Sequence, residues 1–386
     1  MFAMVVLLSA CGEVRNTPAD GAADGGGDAT AQIDAPPAAC GDGRRDPGEA
    51  CYGVPALFDG GDVTYDAQLA DIDGDGDLDL LFLIGDEYKY VAQQGGQFAA
   101  ANQNGPTTFA TRMRAVQLAG DARLELVDAG ETITTWRTSG TSTSYTSTTS
   151  AMQTGVLRAF DVASVTGAAI PNVIALYNDS IVVGTYNPTT LALSTVAERS
   201  MPQARALAVG DINGDVYMDV VGAGANGIVL YRGKSGGLEQ VTDTGQDVPV
   251  DGVAIGDIDG DDVPDIAFVV KGSSGQLGVM RGLGGAAFAA PVTMSAASLG
   301  PTIQVADVDG DGRDDVIATR VKTASNAILV AHGKPDGTLA DPIAIPIAVT
   351  DIDYLHAEAD YNGDGAPDIV ATELNTETIA VFASTP

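Results

Sequence analysis

Residues Asp71–Asp79 read DIDGDGDLD, and this stretch decides the fold because its pattern recurs along the chain. Five intact copies have the form D-x-[DN]-G-D-x-x-x-D: Asp71–Asp79, Asp211–Asp219, Asp257–Asp265, Asp307–Asp315 and Asp360–Asp368. Two degraded copies start at Asp121 and Asp161, so successive copies begin 40 to 53 residues apart. A repeat of this length matches one four-stranded blade of a β-propeller.

Short apolar segments surround each copy, as buried strands require. Around the second intact copy they are residues 206–210, 219–221 and 228–232, and the Gly-rich stretch 236–239 introduces a fourth strand. We therefore predict an all-β, seven-bladed propeller of four-stranded blades with acidic loops between strands. The last repeat ends after its third strand, and residues 56–65 precede the first repeat without a blade of their own. We predict that this segment pairs into the last blade and closes the ring, which removes open sheet edges.

The acidic loops have the composition of calcium sites, because Ca²⁺ takes six to eight oxygen ligands. Positions 1, 5 and 9 are always Asp, position 3 is Asp or Asn, position 7 can offer its backbone carbonyl, and Gly at position 4 permits a sharp turn. We predict about five Ca²⁺ ions with a structural role. The predicted ligands are Asp71, Asp73, Asp75, Asp77, Asp79, Asp211, Asn213, Asp215, Tyr217, Asp219, Asp257, Asp259, Asp261, Val263, Asp265, Asp307, Asp309, Asp311, Arg313, Asp315, Asp360, Asn362, Asp364, Ala366 and Asp368.

The acidic loops have three alternative interpretations. An EF-hand needs Glu at position 12, where this chain has Phe82, Gly222, Phe268, Ala318 and Ala371, so that motif is excluded. Mg²⁺ fits less well because it takes fewer protein ligands in strict octahedral geometry. Plain Asp/Gly turns are the remaining alternative. The degraded copies lack ligands: Arg123, Glu125 and the displaced Asp128 follow Asp121, and Ala163, Val165 and Ala169 follow Asp161. We expect these two blades to bind no calcium.

From Val54 to Pro386 the repeats resemble FG-GAP/VCBS repeats, the type found in the integrin α-subunit propeller and in many bacterial surface proteins. This resemblance implies a binding or adhesion module that recognises a protein or polysaccharide through the face opposite the calcium loops. Lectins and polysaccharide lyases with similar propellers are the alternative. We expect a monomer.

Composition limits the function classes further. Nineteen Lys and Arg against 52 Asp and Glu give a net charge of −33, which argues against nucleic-acid binding and against docking on anionic lipid by charge. The only histidines, His332 and His356, lie in no triad or metal motif, and we expect both to be structural. No P-loop, GxSxG, HExxH or dinucleotide fingerprint occurs. We therefore predict no catalytic residues and no enzyme activity.

The N-terminus has the features of a targeting segment. Residues 1–10 are apolar but too few to span a bilayer, so a secretory signal fits better. Leu8–Cys11 resembles a bacterial lipobox, which implies lipidation of Cys11, although no Lys or Arg precedes the apolar run: either the true start lies upstream or the signal is atypical. Gly12 instead of Asp favours the outer membrane or cell surface. Residues 11–39 are a predicted flexible tether.

We predict that residues 40–53 form a separate small element between the tether and the propeller, which occupies 54–386. In an oxidising compartment Cys40 and Cys51 can close a small loop. The element resembles short cysteine-rich segments of secreted myxobacterial proteins, and we predict a Cys40–Cys51 disulfide. A metal site is a weak alternative because no His is nearby.

Overall fold

The described strands form seven separate four-stranded antiparallel sheets. The computed structural model describes residues 48, 50–85, 87–95, 97–106, 110–118, 124–138, 145–153, 155–241, 248–321, 327–347, 352–373 and 377–385. The prediction of an all-β, seven-bladed propeller is confirmed. Cys51 is disulfide-bonded, whereas its predicted partner Cys40, the tether and Cys11 lie outside the described residues.

Six blades follow chain order, and the seventh combines the two ends of the propeller. Blade 1 contains β2 (Thr64–Ala70), β3 (Asp79–Ile84), β4 (Glu87–Gln94) and β5 (Gln97–Pro106). Blade 2 contains β6 (Arg112–Val116), β7 (Glu125–Ala129), β8 (Ile133–Thr138) and β9 (Tyr145–Ser150). Blade 3 contains β10 (Leu157–Ala163), β11 (Asn172–Tyr177), β12 (Ser180–Tyr186) and β13 (Leu193–Ser200). Blade 4 contains β14 (Ala204–Gly210), β15 (Asp219–Gly224), β16 (Gly227–Lys234) and β17 (Gly237–Val241). Blade 5 contains β18 (Gly252–Gly256), β19 (Asp265–Val270), β20 (Gln276–Met280) and β21 (Val292–Ser295). Blade 6 contains β22 (Leu299–Ala306), β23 (Asp315–Arg320), β24 (Ala327–Ala331) and β25 (Ile343–Pro346). Blade 7 contains β26 (Ile352–Ala359), β27 (Asp368–Glu373), β28 (Thr378–Phe382) and β1 (Ala56–Asp59).

The ring closes where β1 pairs with β28, in a register that runs from Ala56 opposite Val381 to Asp59 opposite Thr378. This confirms the predicted pairing of the N-terminal segment with the last blade. Only the first part of that segment takes part, because Thr64 already begins β2 of blade 1. The ring of Phe58 on β1 packs edge-on against Phe98 of blade 1, with 5.2 Å between ring centroids.

The hydrophobic core lies between neighbouring blades. The second strand of blade 1, β3, is buried along its whole length, which explains its continuous apolar sequence. Its alternate side chains face opposite neighbours: Phe82 packs with Val381 of blade 7, and Leu81 packs with Met113 of blade 2. The first strands of all seven blades surround a narrow axial channel of about 210 Å³.

Within the described part of the chain, no helix has the length and hydropathy needed to cross a bilayer.

Candidate metal sites on the loop face

The five intact acidic motifs each connect the first strand of a blade to the second. They are named here by blade: loop 1 (71–79), loop 4 (211–219), loop 5 (257–265), loop 6 (307–315) and loop 7 (360–368). Neighbouring loops touch: the Asp257 N–H donates to Asp314 Oδ2 (2.8 Å), and the Asp314 N–H donates to the Asp257 carbonyl (2.7 Å). Because the same end of every blade carries these connections, the loops share one face of the ring, the loop face.

Position 1 of each loop holds the turn closed. In loop 1 the Gly74 N–H donates to Asp71 Oδ1 at 2.7 Å. The equivalent contact recurs in loops 4, 5, 6 and 7 at 2.6 to 2.8 Å. Gly74 has φ of 81°, a left-handed conformation that favours glycine, and position 4 of the other four loops adopts φ of 75° or 76°. The turn therefore explains the invariant glycine.

Position 9 begins the second strand and anchors the loop to the third. Asp79 is buried; its Oδ2 accepts the Ile72 N–H (3.1 Å), and its Oδ1 accepts the Gln93 N–H (2.9 Å) from the end of β4. The same pair of contacts recurs at Asp219, Asp265, Asp315 and Asp368. This second role of position 9 was not predicted, because the partner lies 14 or more residues further along the chain.

Positions 3 and 5 turn their carboxylates towards the backbone two residues further on. Asp73 Oδ1 accepts the Asp75 N–H (3.2 Å), and Asp75 Oδ1 accepts the Asp77 N–H (2.9 Å). The second of these contacts recurs at position 7 of the other loops, at Tyr217, Val263, Arg313 and Ala366.

Carboxylate oxygens converge in three of the loops. One oxygen each from Asp71, Asp73 and Asp79 lies within 4.8 Å of the others, and the same holds for Asp257, Asp259 and Asp265, and for Asp307, Asp309 and Asp311. In loops 4 and 7 position 3 is Asn. Asn213 Nδ2 donates to Asp219 Oδ2 (3.1 Å), and Asn362 Nδ2 donates to Asp364 Oδ2 (2.9 Å), so each amide is hydrogen-bonded to a carboxylate of its own loop.

The electrostatics of these clusters fit a bound cation. Asp259 Oδ1 is buried without a hydrogen-bond partner among the described residues. A buried oxygen without a partner destabilises the folded state unless a cation binds it. Burial raises the pKa of position 9, to about 6 for Asp219, about 7 for Asp265 and about 6 for Asp368. Neighbouring carboxylates add to this rise at Asp219 and Asp265. A divalent cation would relieve both effects by favouring the ionised form.

The carboxylates of loop 5 are paired with a cationic side chain. Arg281, which follows β20, places Nη1 3.1 Å from Asp259 Oδ2 and 3.8 Å from Asp261 Oδ2. In loop 6 the predicted position-7 residue Arg313 folds its guanidinium onto Asp311 and donates from Nε to the Gly333 carbonyl (3.0 Å). The five loops are therefore not equivalent. Sequence reasoning missed Arg281 because it follows the third strand and lies outside the motif.

The register predicted for the degraded copies was wrong, although Asp121 and Arg123 themselves lie outside the described residues. Asp161 lies inside β10 and pairs with Ile174, and it does not start a loop. The residues equivalent to position 9 are Glu125, which begins β7, and Asn172, which begins β11. Counted back from them, the loops of blades 2 and 3 start at residues 117 and 164, immediately after the first strands.

Among the described residues of blades 2 and 3, no cluster of carboxylates surrounds this position. In blade 2 Glu125 Oε2 accepts the Leu118 N–H (2.7 Å), and Glu125 Oε1 pairs with Arg137 Nε (3.1 Å). In blade 3 the neutral amide of Asn172 accepts from Thr166 and donates to the Gly184 carbonyl (3.2 Å). Asp128 points elsewhere and accepts from the indole N–H of Trp136 (2.5 Å).

The opposite face of the ring, here called the cavity face, has a different chemistry. A cavity of about 590 Å³ lies where blades 3 to 6 meet, beside the start of β14 and the turn after β19. Blades 3, 4 and 5 each contribute one cationic side chain to its lining: Arg158, Arg205 and Lys271. Asp251 forms ion pairs with two of them: its Oδ1 lies 2.8 Å from Arg205 Nη1 and 3.7 Å from Lys271 Nζ. Arg158 donates to the neutral side chain of Asn178 (2.6 Å).

The comparisons with known proteins agree with this architecture. A model of the FG-GAP-like repeat matches residues 211–268 and 307–371, which contain loops 4 to 7. No curated protein matches the chain in sequence. A solved structure described as the structural basis of specific recognition of non-reducing terminal N-acetylglucosamine by an Agrocybe aegerita lectin is similar in fold, with a TM-score of 0.58 and 15% identity. The match covers 83% of this chain and 86% of the lectin chain. The chain is therefore a seven-bladed β-propeller that contains FG-GAP-like repeats.

Proposed function

We propose that this propeller is a calcium-stabilised, non-enzymatic binding or adhesion module that recognises its partner through the cavity face. The observation that carries the proposal is the separation of the two faces. Carboxylates converge on the loop face, whereas the cavity face places cationic and amide side chains around an opening large enough for a ligand, because ligand pockets commonly measure about 300–1,000 Å³.

Calcium bound on the loop face would stabilise the folded propeller. The carboxylates and amides of loops 1, 4, 5, 6 and 7 would hold up to five ions through oxygen atoms, as Ca²⁺ prefers. Extracellular sites of this kind bind with dissociation constants of roughly 0.1–1 mM. At a few millimolar calcium each occupied site would stabilise the folded state by about 1–2 kcal/mol.

The partner class proposed for the cavity face is a protein or a polysaccharide. A lectin-like or polysaccharide-active propeller is the second candidate, and the polar lining of the cavity favours it. Asn178, Gln203 and Asp251 offer hydrogen-bond donors and acceptors that suit sugar hydroxyls, and Arg158 suits an acidic substituent. The similarity in fold to an N-acetylglucosamine-recognising lectin makes saccharides the first ligands to test.

We further propose that the protein works as a monomer outside the cytoplasm, anchored to the outer membrane or cell surface through lipid on Cys11. The support is the apolar segment that precedes Cys11 in the sequence. Metabolic labelling with a radiolabelled fatty acid tests this proposal. Label is expected in the full chain and is expected to disappear in Cys11→Ser.

The cavity face is tested with the labelled full chain on an array of neutral and acidic saccharides in calcium. Arg158→Ala is expected to abolish a saccharide signal because it removes a cationic donor from the cavity. Its partner among the described residues is the neutral amide of Asn178, so the substitution leaves no buried charge unpaired. The matched control is Lys234→Ala, which removes a cation at the loop-face end of β16. A signal that both variants retain, or that both lose, contradicts recognition through the cavity face.

A further inference from the structure

Among the described residues, loop 6 is the acidic loop that a histidine side chain contacts. His332 follows β24 and is only 7% exposed. Its Nδ1 lies 3.1 Å from Asp315 Oδ2 and 3.3 Å from Asp309 Oδ2. Both carboxylates are buried, and the three ligand atoms lie within 4.8 Å of one another.

The imidazole is buried without the hydrogen bonds that such a group normally makes. Neither Nδ1 nor Nε2 has a hydrogen-bond partner of acceptable geometry among the described residues. Buried polar side chains are almost always hydrogen-bonded, so an exception calls for an explanation such as an ion. Nδ1 is directed at two carboxylate oxygens, and a cation between the three atoms would give this nitrogen the partner that it lacks.

The distances from the His332 nitrogen to the two carboxylate oxygens suit a small transition-metal ion. Two ligands that each lie about 2.0–2.2 Å from a tetrahedral Zn²⁺ ion are roughly 3.3–3.6 Å apart. The nitrogen–oxygen distances of 3.1 and 3.3 Å at His332 are close to this value. Imidazole with carboxylates is a donor set typical of zinc and similar borderline ions, whereas Ca²⁺ takes oxygen ligands only.

Comparison between blades shows that this ligand is specific to blade 6. His332 immediately precedes Gly333, whose N–H donates to Asp315 at position 9 of loop 6. Blades 1, 4, 5 and 7 have Ala92, Arg232, Arg281 and Ala383 at the equivalent position. Two of these side chains cannot bind a metal, and the two guanidinium groups would repel one.

We propose that Asp309, Asp315 and His332 form a buried site for Zn²⁺ or a similar borderline divalent ion, which would occupy loop 6 in place of one of the five calcium ions. The proposal deepens the cation-binding role of the loop face and rests on it. The N–H of Gly48, from the segment before the propeller, donates to Asp309 Oδ2 (2.5 Å). The site therefore lies where the N-terminal element contacts the ring.

Co²⁺ is the probe for the test, because its visible absorption reports ligand type and geometry. Tag-free full-length chain with Cys11→Ser, which removes a competing thiol, is stripped with chelator, saturated with calcium and then titrated with Co²⁺. We expect one equivalent to bind with an absorption spectrum of a four-coordinate nitrogen–oxygen site, and Zn²⁺ but not further Ca²⁺ to displace it.

His332→Gln is expected to weaken Co²⁺ binding by more than about 100-fold. Replacing a residue that only hydrogen-bonds to a metal ligand typically weakens binding by about 10- to 100-fold. His356→Gln, which changes the only other histidine, is expected to retain binding. Proton NMR gives a second readout that needs no variant: only the His332 ring resonances should shift with bound Co²⁺. Equal affinity in His332→Gln, or no Co²⁺ binding to the calcium-loaded chain, would overturn the proposal and leave His332 as an ion-pair partner of the two carboxylates. Calcium binding by the other loops is measured in the same samples, so either proposal can fail alone.

Discussion

The carboxylate of Asp66 accepts a hydrogen bond from Nε2 of His356 over 3.1 Å, which joins residues 290 positions apart in the chain. Asp66 lies on the first strand of blade 1, and His356 lies on the first strand of blade 7. The other carboxylate oxygen accepts the N–H of Met113 in blade 2 (3.0 Å) and lies 3.5 Å from Arg114 Nη1. One buried side chain therefore connects three blades around the point of ring closure.

Asp66→Ala is expected to destabilise the propeller by about 3–5 kcal/mol, as when one partner of a buried ion pair is removed. Burial by itself would raise the pKa of Asp66, but the hydrogen bond and charge of His356, together with Arg114 and Arg112, lower it below its ordinary value. Stabilisation by Asp66 is therefore complete above the unfolded pKa and is lost as pH falls through the folded pKa. Denaturant unfolding at pH 7 measures the effect.

The control for this prediction is Asp62→Ala, which removes an exposed carboxylate from the same part of the chain. It should change the free energy of unfolding by less than about 0.5 kcal/mol. If Asp66→Ala is as mild as Asp62→Ala, the contact between blades 1, 2 and 7 does not stabilise the ring.

Removal of calcium is expected to lower the melting temperature of the full chain substantially. Each empty loop brings several carboxylates together, and an ion that binds only the folded state stabilises it by mass action. Thermal melts in millimolar calcium and in chelator, with metal counting on the calcium-loaded protein, measure the effect. Identical melts and no bound calcium would mean that the loops are ordinary Asp/Gly turns.

In chelator, stability is expected to fall as pH rises from about 4 to about 7. The pKa values of Asp219, Asp265 and Asp368 are about 6, 7 and 6 in the folded state, against about 3.9 in an unfolded chain. The folded state therefore binds more protons across this range, so raising the pH favours unfolding. Denaturant unfolding from pH 4.5 to 7.5 checks the sign of the slope.

Two comparisons isolate the cause of this pH dependence. Saturating calcium should flatten the slope, because a cation favours the ionised carboxylates in the folded state. Asp219→Asn should reduce the slope in chelator by removing one of the titrating groups. A slope that is the same in calcium and in chelator would assign the pH dependence to groups outside the loops.

Arg281→Ala is expected to increase the stabilisation by calcium by about 1–2 kcal/mol, the value of one additional occupied site. The guanidinium now lies against Asp259 and Asp261, so it competes with an ion for loop 5. Arg232→Ala is the matched control. Arg232 has the equivalent position in blade 4, but its Nη2 donates to the Gly285 carbonyl (2.6 Å) and not to loop 4. Equal calcium responses in wild type and Arg281→Ala would contradict competition by the guanidinium.

The architecture could be predicted from local sequence because each repeat carries the same signals. The Gly at position 4, the Asp at position 1 and the apolar second strand all act within a few residues of one another. Even the closure by Ala56–Asp59 followed from counting strands, since the last repeat lacked one. These features need no knowledge of which blades touch.

Contacts between strands could not be predicted in the same way. Arg281 and His332 reach their loops from the residue just after the third strand, about 20 residues after position 3, and no motif marks them. Glu125 and Asn172 were missed as equivalents of position 9 because neither is Asp. The strand spacing would have found them, since loops that start at residues 117 and 164 fall into the register of the neighbouring copies.

Closure by β1 also has a consequence for the order of folding. Ala56 cannot meet Val381 until nearly the whole propeller has been synthesised, and such distant contacts carry a large loop-closure entropy. Proteins dominated by such pairings fold slowly. Until β1 docks, the edge of β28 has unpaired N–H and C=O groups, which are a template for pairing with another chain. Folding intermediates of this protein should therefore aggregate through blade 7, and a circular permutant that begins at Thr64 and carries β1 directly after β28 should fold faster than the natural chain.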